Sequence, residues 1–283
     1  MVRNLIVIAV AGVFASTAGS CGCNGKIVRP YAAPTVDRVL NTLKERNQAA
    51  TTFRASSTMD YWVGKDRVKG TVQVQGRVDR RLRFNALNPG ADTVAVDLAC
   101  DGVSFVYLDQ NNNCMLQGPC DSSAIAQLLR IRLEPEDFLL LAIGSTPILE
   151  GEASLRWDDG SGREIITIKA ADGRIQTIAL DGRRKEATWD VLESTVKLAD
   201  GKVEWKLSNK DFGKATAESG GAIRLPGKTR FEQPAEKADL IVDWDKRQVN
   251  LELADELFVL EPPDGLPQCG SSAPQAAPPA PKP

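Results

Sequence analysis

From Phe53 to about Leu116, apolar and polar residues alternate with a period of two. Val68, Gly70, Val72, Val74, Gly76 and Val78 interleave with Lys69, Thr71, Gln73, Gln75 and Arg77. Leu82, Phe84 and Ala86 then alternate with Arg83 and Asn85, and Val94, Val96, Leu98 and Cys100 with Ala95, Asp97 and Ala99. Asn88-Pro89-Gly90 and Asp101-Gly102 supply turn chemistry between the runs. This pattern predicts antiparallel strands with one apolar and one polar face. It resumes over Glu152–Trp157, Glu164–Ala170, Arg174–Leu180, Ala187–Leu192, Lys202–Leu207, Ala238–Trp244 and Gln248–Leu253. Asp-Gly pairs at 172–173, 181–182 and 200–201 punctuate the second series. Hairpin follows hairpin, which predicts one domain over residues 35–265, a meander of about eleven strands.

Three stretches carry a helical period instead. In Thr35 to Ala50, Val36, Val39, Leu40 and Leu43 fall on one face, with Thr35 placed to cap and Asp37 in the first turn. Ser122–Arg130 and Glu134–Ile143 are shorter and rich in Leu, with Pro135 at the first turn of the second and Gly144 at its end.

A sheet this wide with one apolar face needs a partner layer, and three short helices give little cover. The fold class expected is mainly β, a strongly curved antiparallel sheet (a half β-barrel) with the helices as a lid over an apolar concave face. That face is either filled by side chains or left partly open as an apolar pocket. The patterning leaves both open. Candidates to line such a pocket are Val72, Val74, Leu82, Phe84, Val96, Leu98, Leu128 and Leu140.

The chain's ends are of a different kind. Arg3, the apolar run Leu5–Ala15 and the small residues that follow form an expected signal peptide over residues 1–20, too short to span a bilayer. Ala18-Gly19-Ser20-Cys21 resembles the lipobox of bacterial lipoproteins, which implies lipidation at Cys21, with Cys23 as an alternative. A lipidated Cys21, followed by a spacer to Pro34, would tether the body to a membrane. The Pro/Ala-rich tail, residues 266–283, has too little apolar surface to fold.

Composition narrows the chemistry. With 35 Lys+Arg against 37 Asp+Glu, no basic balance exists to draw nucleic acid. The chain has no histidine, which removes Ser-His-Asp and Cys-His nucleophile systems and the usual zinc and iron ligand sets. The sequence therefore predicts a non-enzyme without cofactor or metal.

The four cysteines of the body, Cys100, Cys114, Cys120 and Cys269, would lie in an oxidising compartment and are expected to pair. Cys114 and Cys120 are close in sequence, which leaves Cys100 with Cys269. Asp158-Asp159-Gly160 lacks the alternating Asx residues of a calcium loop and reads as a turn. Glu134, Glu136 and Asp137 open a helix, where carboxylates complement the dipole.

The order of elements resembles the LolA/LolB-like superfamily, especially bacterial lipoproteins with a LolB-like domain. An amphipathic helix precedes "TTFRASSTMDYW"; a hairpin sheet ends in "DGVSFVYLDQNNNCMLQG"; the helix pair "AIAQLLRIRLEPEDFLLLAIG" follows, and the strand series closes near "FVLEPPDG". The resemblance covers roughly Thr35 to Gly265. It implies a half-barrel whose hydrophobic cavity holds lipid or lipoprotein acyl chains, at the periplasmic face of the outer membrane, with a LolA-like periplasmic carrier as a partner. The loop from Asn88 to Asp92 is polar, whereas LolB carries an apolar residue on its membrane-inserting hairpin. A non-carrier structural or interaction lipoprotein of the envelope is the alternative.

Overall fold

The computed structural model describes residues 26–63, 66–184, 189–217 and 222–270. The expected signal peptide, Cys21, Cys23 and the tail from Ser271 lie outside the described residues, as do Ala187 and Thr188 of one expected strand.

Helix α1 (Val36–Ala49) starts where expected, with Thr35 Oγ1 accepting the Arg38 N–H. Six strands follow: β1 (Thr52–Val63), β2 (Asp66–Arg77), β3 (Arg81–Leu87), β4 (Val94–Asp101), β5 (Ser104–Asp109) and β6 (Cys114–Pro119). Helices α2 (Ser122–Leu129) and α3 (Pro135–Ala142) separate them from β7 (Glu152–Asp158), β8 (Arg163–Lys169), β9 (Ile175–Asp181), β10 (Val191–Lys197) and β11 (Val203–Lys210). The chain ends with β12 (Gly213–Ala217), β13 (Ala222–Leu225), β14 (Lys228–Gln233) and β15 (Ala238–Val249).

The sheet runs β6-β5-β4-β3-β2-β1-β15-β14-β11-β10-β9-β8-β7, thirteen curved antiparallel strands with β6 and β7 at its open edges. It consists of two meanders stitched together by the long β1–β15 pairing. The short β12–β13 hairpin stands off this path.

The count exceeds the expected eleven for local reasons. β14 carries only Thr229 and Phe231 as buried residues between charged neighbours, so its apolar alternation is faint. In the other direction, β15 is one strand where two were expected. Asp245 and Lys246 look like a turn, but they form a bulge opposite Ser56, between the Ala55–Arg247 and Ser57–Trp244 pairs. β10 starts at Val191 rather than 187, and its polar residues Glu193 and Thr195 hide the buried row of Val191, Ser194 and Val196.

Each half of the sheet has its own core. On β1–β4, Phe53, Val74, Leu82, Phe84 and Leu98 are buried against Ile125 of α2 and Phe138 of α3. The Phe84 and Phe138 rings meet edge to face with centroids 5.0 Å apart. Burying each such ring contributes about 1.5–3 kcal/mol. On β8–β10, Ile166, Ile168, Ile178, Leu180 and Val191 receive Val39 and Leu43 of α1. Two buried carboxylates anchor the surrounding chain. Asp190 takes Arg46 of α1 (3.3 Å) and Arg224 of β13 (2.5 Å). Glu164, fully buried, takes Arg29 (2.7 Å) and the Tyr31 hydroxyl (3.3 Å).

Residues 26–34, expected to be part of a spacer, are therefore docked on the β7–β8 hairpin. The Ile27 N–H donates to the Asp159 carbonyl (2.8 Å), and Trp157 Nε1 donates to the Ile27 carbonyl (3.0 Å).

The cysteine pairing is also corrected. Cys114 is bonded to Cys269, with Cα atoms 4.9 Å apart, and Cys100 and Cys120 are free and buried. Cys114 and Cys120 flank β6 from end to end, about 20 Å along an extended strand, so they cannot meet. Instead residues 267–269 lie along the β6 edge: the Met115 N–H donates to the Pro267 carbonyl and the Cys269 N–H to the Met115 carbonyl, both at 2.9 Å. This segment caps an edge that would otherwise offer free backbone groups. Cys100 and Cys120 share a thiol hydrogen bond that, with burial, pushes the Cys100 pKa up.

Candidate functional site

β2 carries the row that decides whether the apolar face is open or filled. Val68, Gly70, Val72, Val74 and Gly76 point to one side of the sheet by alternation. Toward the C-terminal end of β2 the space is occupied. A Cβ on Gly76 would stand 2.9 Å from Leu82 Cδ2 and 3.4 Å from Leu139 Cδ1, so α3 rests almost on the strand. At the other end, a Cβ on Gly70 would meet nothing within 4 Å.

The open end is a pocket of about 340 Å³. Met59 and Tyr61 of β1, Val72 of β2, Ala86 of β3, Val96 of β4 and Tyr107 of β5 form its floor and walls; Leu128, Leu129 and Arg130 at the end of α2 close one side. This volume lies at the low end of the roughly 300–1,000 Å³ typical of ligand pockets. Larger surface clefts exist among the described residues, and the 720 Å³ one, lined in part by Leu198, Val203, Pro234 and Ala235, draws on no buried core residue. The 660 Å³ cleft near β10–β14 is lined by Arg163, Arg224 and Lys228, which are already paired with Glu193, Asp190 and Asp243. The smaller pocket joins an apolar lining to the core through Met59, Val72, Leu128 and Leu129.

The eight expected lining residues divide. Val72, Val96 and Leu128 line the pocket. Val74, Leu82, Phe84 and Leu98 do not; they are packed beneath the helices in the main core, and Leu140 is half-buried against it. The expectation treated the apolar face as uniform, whereas α3 fills its middle. Patterning did not single out Gly70, Tyr61, Tyr107 or Arg130. The signal for Gly70 was its place in a row of valines, where a missing side chain leaves room.

The polar character of the pocket is sparse. Burial pushes the Tyr61 and Tyr107 hydroxyls above the usual phenol range, and the nearby Arg130 charge opposes both shifts. Arg130 itself caps α2 in the left-handed region, φ 57° and ψ 20°, a conformation that favours glycine. Among the described residues no group of three or more His, Cys, Asp and Glu could hold a metal ion. Nor is any described helix long and apolar enough to cross a membrane.

No protein-family model matches the chain, and no curated protein matches it in sequence. Solved structures do match in shape. A DUF1329 family protein from Desulfovibrio piger superposes with a TM-score of 0.52 at 13% identity, over 80% of this chain and 98% of that one. A LolA superfamily protein from Nitrosomonas europaea gives a TM-score of 0.50 at 10% identity, over 81% and 99%. With its open, curved antiparallel sheet and three helices, the chain has a LolA/LolB-like fold.

Proposed function

We propose that this protein is a lipid-anchored protein of the cell envelope that binds an acyl chain in the pocket between β1–β5 and the end of α2. The observation that carries this reading is the pocket: apolar, joined to the core, and open where Gly70 leaves space beneath α2. The LolA/LolB-like fold supports the acyl class of ligand, and the lipobox-like Ala18-Gly19-Ser20-Cys21 supports an anchor at the periplasmic face of the outer membrane. In this reading α2 acts as the lid, and the protein binds lipid or takes it from a LolA-like periplasmic carrier without doing chemistry on it.

A second reading has an observation of its own. Most of the apolar face is packed, with Phe138 on Phe84 and Leu139 over Gly76, as a structural or docking lipoprotein would require. Mass spectrometry of the chain purified without detergent separates the two. Stoichiometric co-purified lipid supports the binding reading, and lipid-free protein that takes up none when offered supports the packed one.

A further inference from the structure

Resting on the acyl-binding reading, we propose that Arg130 makes the pocket selective for a single-chain amphiphile with an anionic headgroup, a carboxylate or a phosphate monoester. Three observations meet at this residue. The first is charge. Lys69 and Arg130 are the pocket's charged lining residues, and both are cationic. Lys69, on β2 opposite Asp60 of β1, alternates with Val68 and Gly70 and so directs its side chain to the other face of the strand. Arg130 makes no ion pair among the described residues, so its charge is available.

The second is position. Arg130 follows directly on Leu128 and Leu129, which seal the apolar side, and its field reaches the hydroxyls of both Tyr61 and Tyr107. Neither hydroxyl is hydrogen-bonded to another described residue. A headgroup at this rim would meet a guanidinium fork and two phenol donors, while its tail ran over Gly70 toward Met59 and Val72.

The third is the backbone. The left-handed cap of α2 would be met with less strain by glycine, so the arginine there costs the fold rather than helping it. A residue held against local preference beside an unfilled pocket points to a ligand. The volume adds a limit: at about 340 Å³ the pocket suits one tail and not the several chains of a lipoprotein anchor.

The test displaces a neutral phenylnaphthylamine dye from the detergent-free full chain with decanoate, decyl phosphate and decanol, each below its aggregation threshold. The same titrations are run on Arg130→Gly, which relaxes the backbone, and on Arg130→Lys. The expected result is that decanoate and decyl phosphate compete about tenfold more strongly than decanol in the wild type, that in Arg130→Gly the three compete equally, and that Arg130→Lys keeps part of the preference. Separation of decanoate from decyl phosphate identifies which headgroup is favoured. Equal competition by all three in the wild type, or a preference that survives Arg130→Gly, overturns the headgroup assignment and leaves acyl binding standing. Failure of the dye and of all three competitors to bind the wild type overturns acyl binding, and the assignment with it.

Discussion

Gly70 and Gly76 lie in the same row of β2, six residues apart, and face opposite surroundings: a side chain at Gly76 would collide with Leu82 and Leu139, whereas one at Gly70 would project into empty space. This contrast marks the boundary between the filled and open parts of the apolar face. Substitution at the two sites should therefore diverge. Gly76→Val is expected to cost roughly 1–3 kcal/mol by overpacking, and Gly70→Val to be neutral or slightly stabilising, since glycine weakens a strand interior. Urea unfolding of both variants checks this, and equal losses would place the packed boundary elsewhere.

The Cys114–Cys269 bond closes a loop of 155 residues and holds residues 267–269 along β6. Cys114→Ser is expected to lower stability by about 2–5 kcal/mol. Hydrogen exchange should accelerate at the Met115 and Cys269 amides, which pair across that edge. Protection unchanged at both amides would show that the segment docks without the bond.

Glu164 is the buried acceptor that fixes the segment from Lys26 to Pro34 through Arg29 and Tyr31. Glu164→Ala leaves the Arg29 charge without its partner and should cost about 3 kcal/mol, the low end of the range for buried pairs because Arg29 keeps some contact with water. Trypsin should then cut rapidly after Lys26, whereas the Arg29–Pro30 bond resists it. A cleavage rate equal to the wild type's would mean that Trp157 and Asp159 suffice to hold the segment.

Burial, with Glu136 and Glu134 nearby, raises the Asp137 carboxyl from its ordinary 3.8 to about 6. Between these values the folded chain binds more protons than the unfolded one, so this group's contribution to stability falls as pH rises from about 4 to about 6. Asp137→Asn should stabilise the protein above that window by on the order of 1 kcal/mol, discounted for partial solvent exposure, with the gain vanishing toward pH 4. Thermal unfolding of both proteins across the window tests the sign. A gain that grows on acidification would contradict it.

Much of the fold was legible because local signals agreed with burial. Thr35 and Pro135 mark helix starts that the structure keeps, and the alternation over β2–β4 matches the buried rows. What escaped depended on distant partners. The Asp245-Lys246 bulge is absorbed only because β1 runs opposite, and Cys269 reaches Cys114 only because the chain's end returns to β6. The pocket was legible as a face but not as a place. Its location depends on how far α3 extends over β2, which Leu139 and Gly76 decide in three dimensions. Arg130 was visible only as the end of a helix; its left-handed backbone and its nearness to Tyr61 and Tyr107 are properties of the assembled structure.

The central claim, that the open end over Gly70 is an acyl-chain site, is tested most directly by titrating a fluorescent acyl probe into the wild type and Gly70→Leu. A Cβ at this position meets nothing within 4 Å, so the added side chain has room to enter the pocket. Saturable binding by the wild type, weakened about tenfold or more in Gly70→Leu with unfolding unchanged, is the predicted result. Equal affinity in both proteins, or no binding by either, would contradict it.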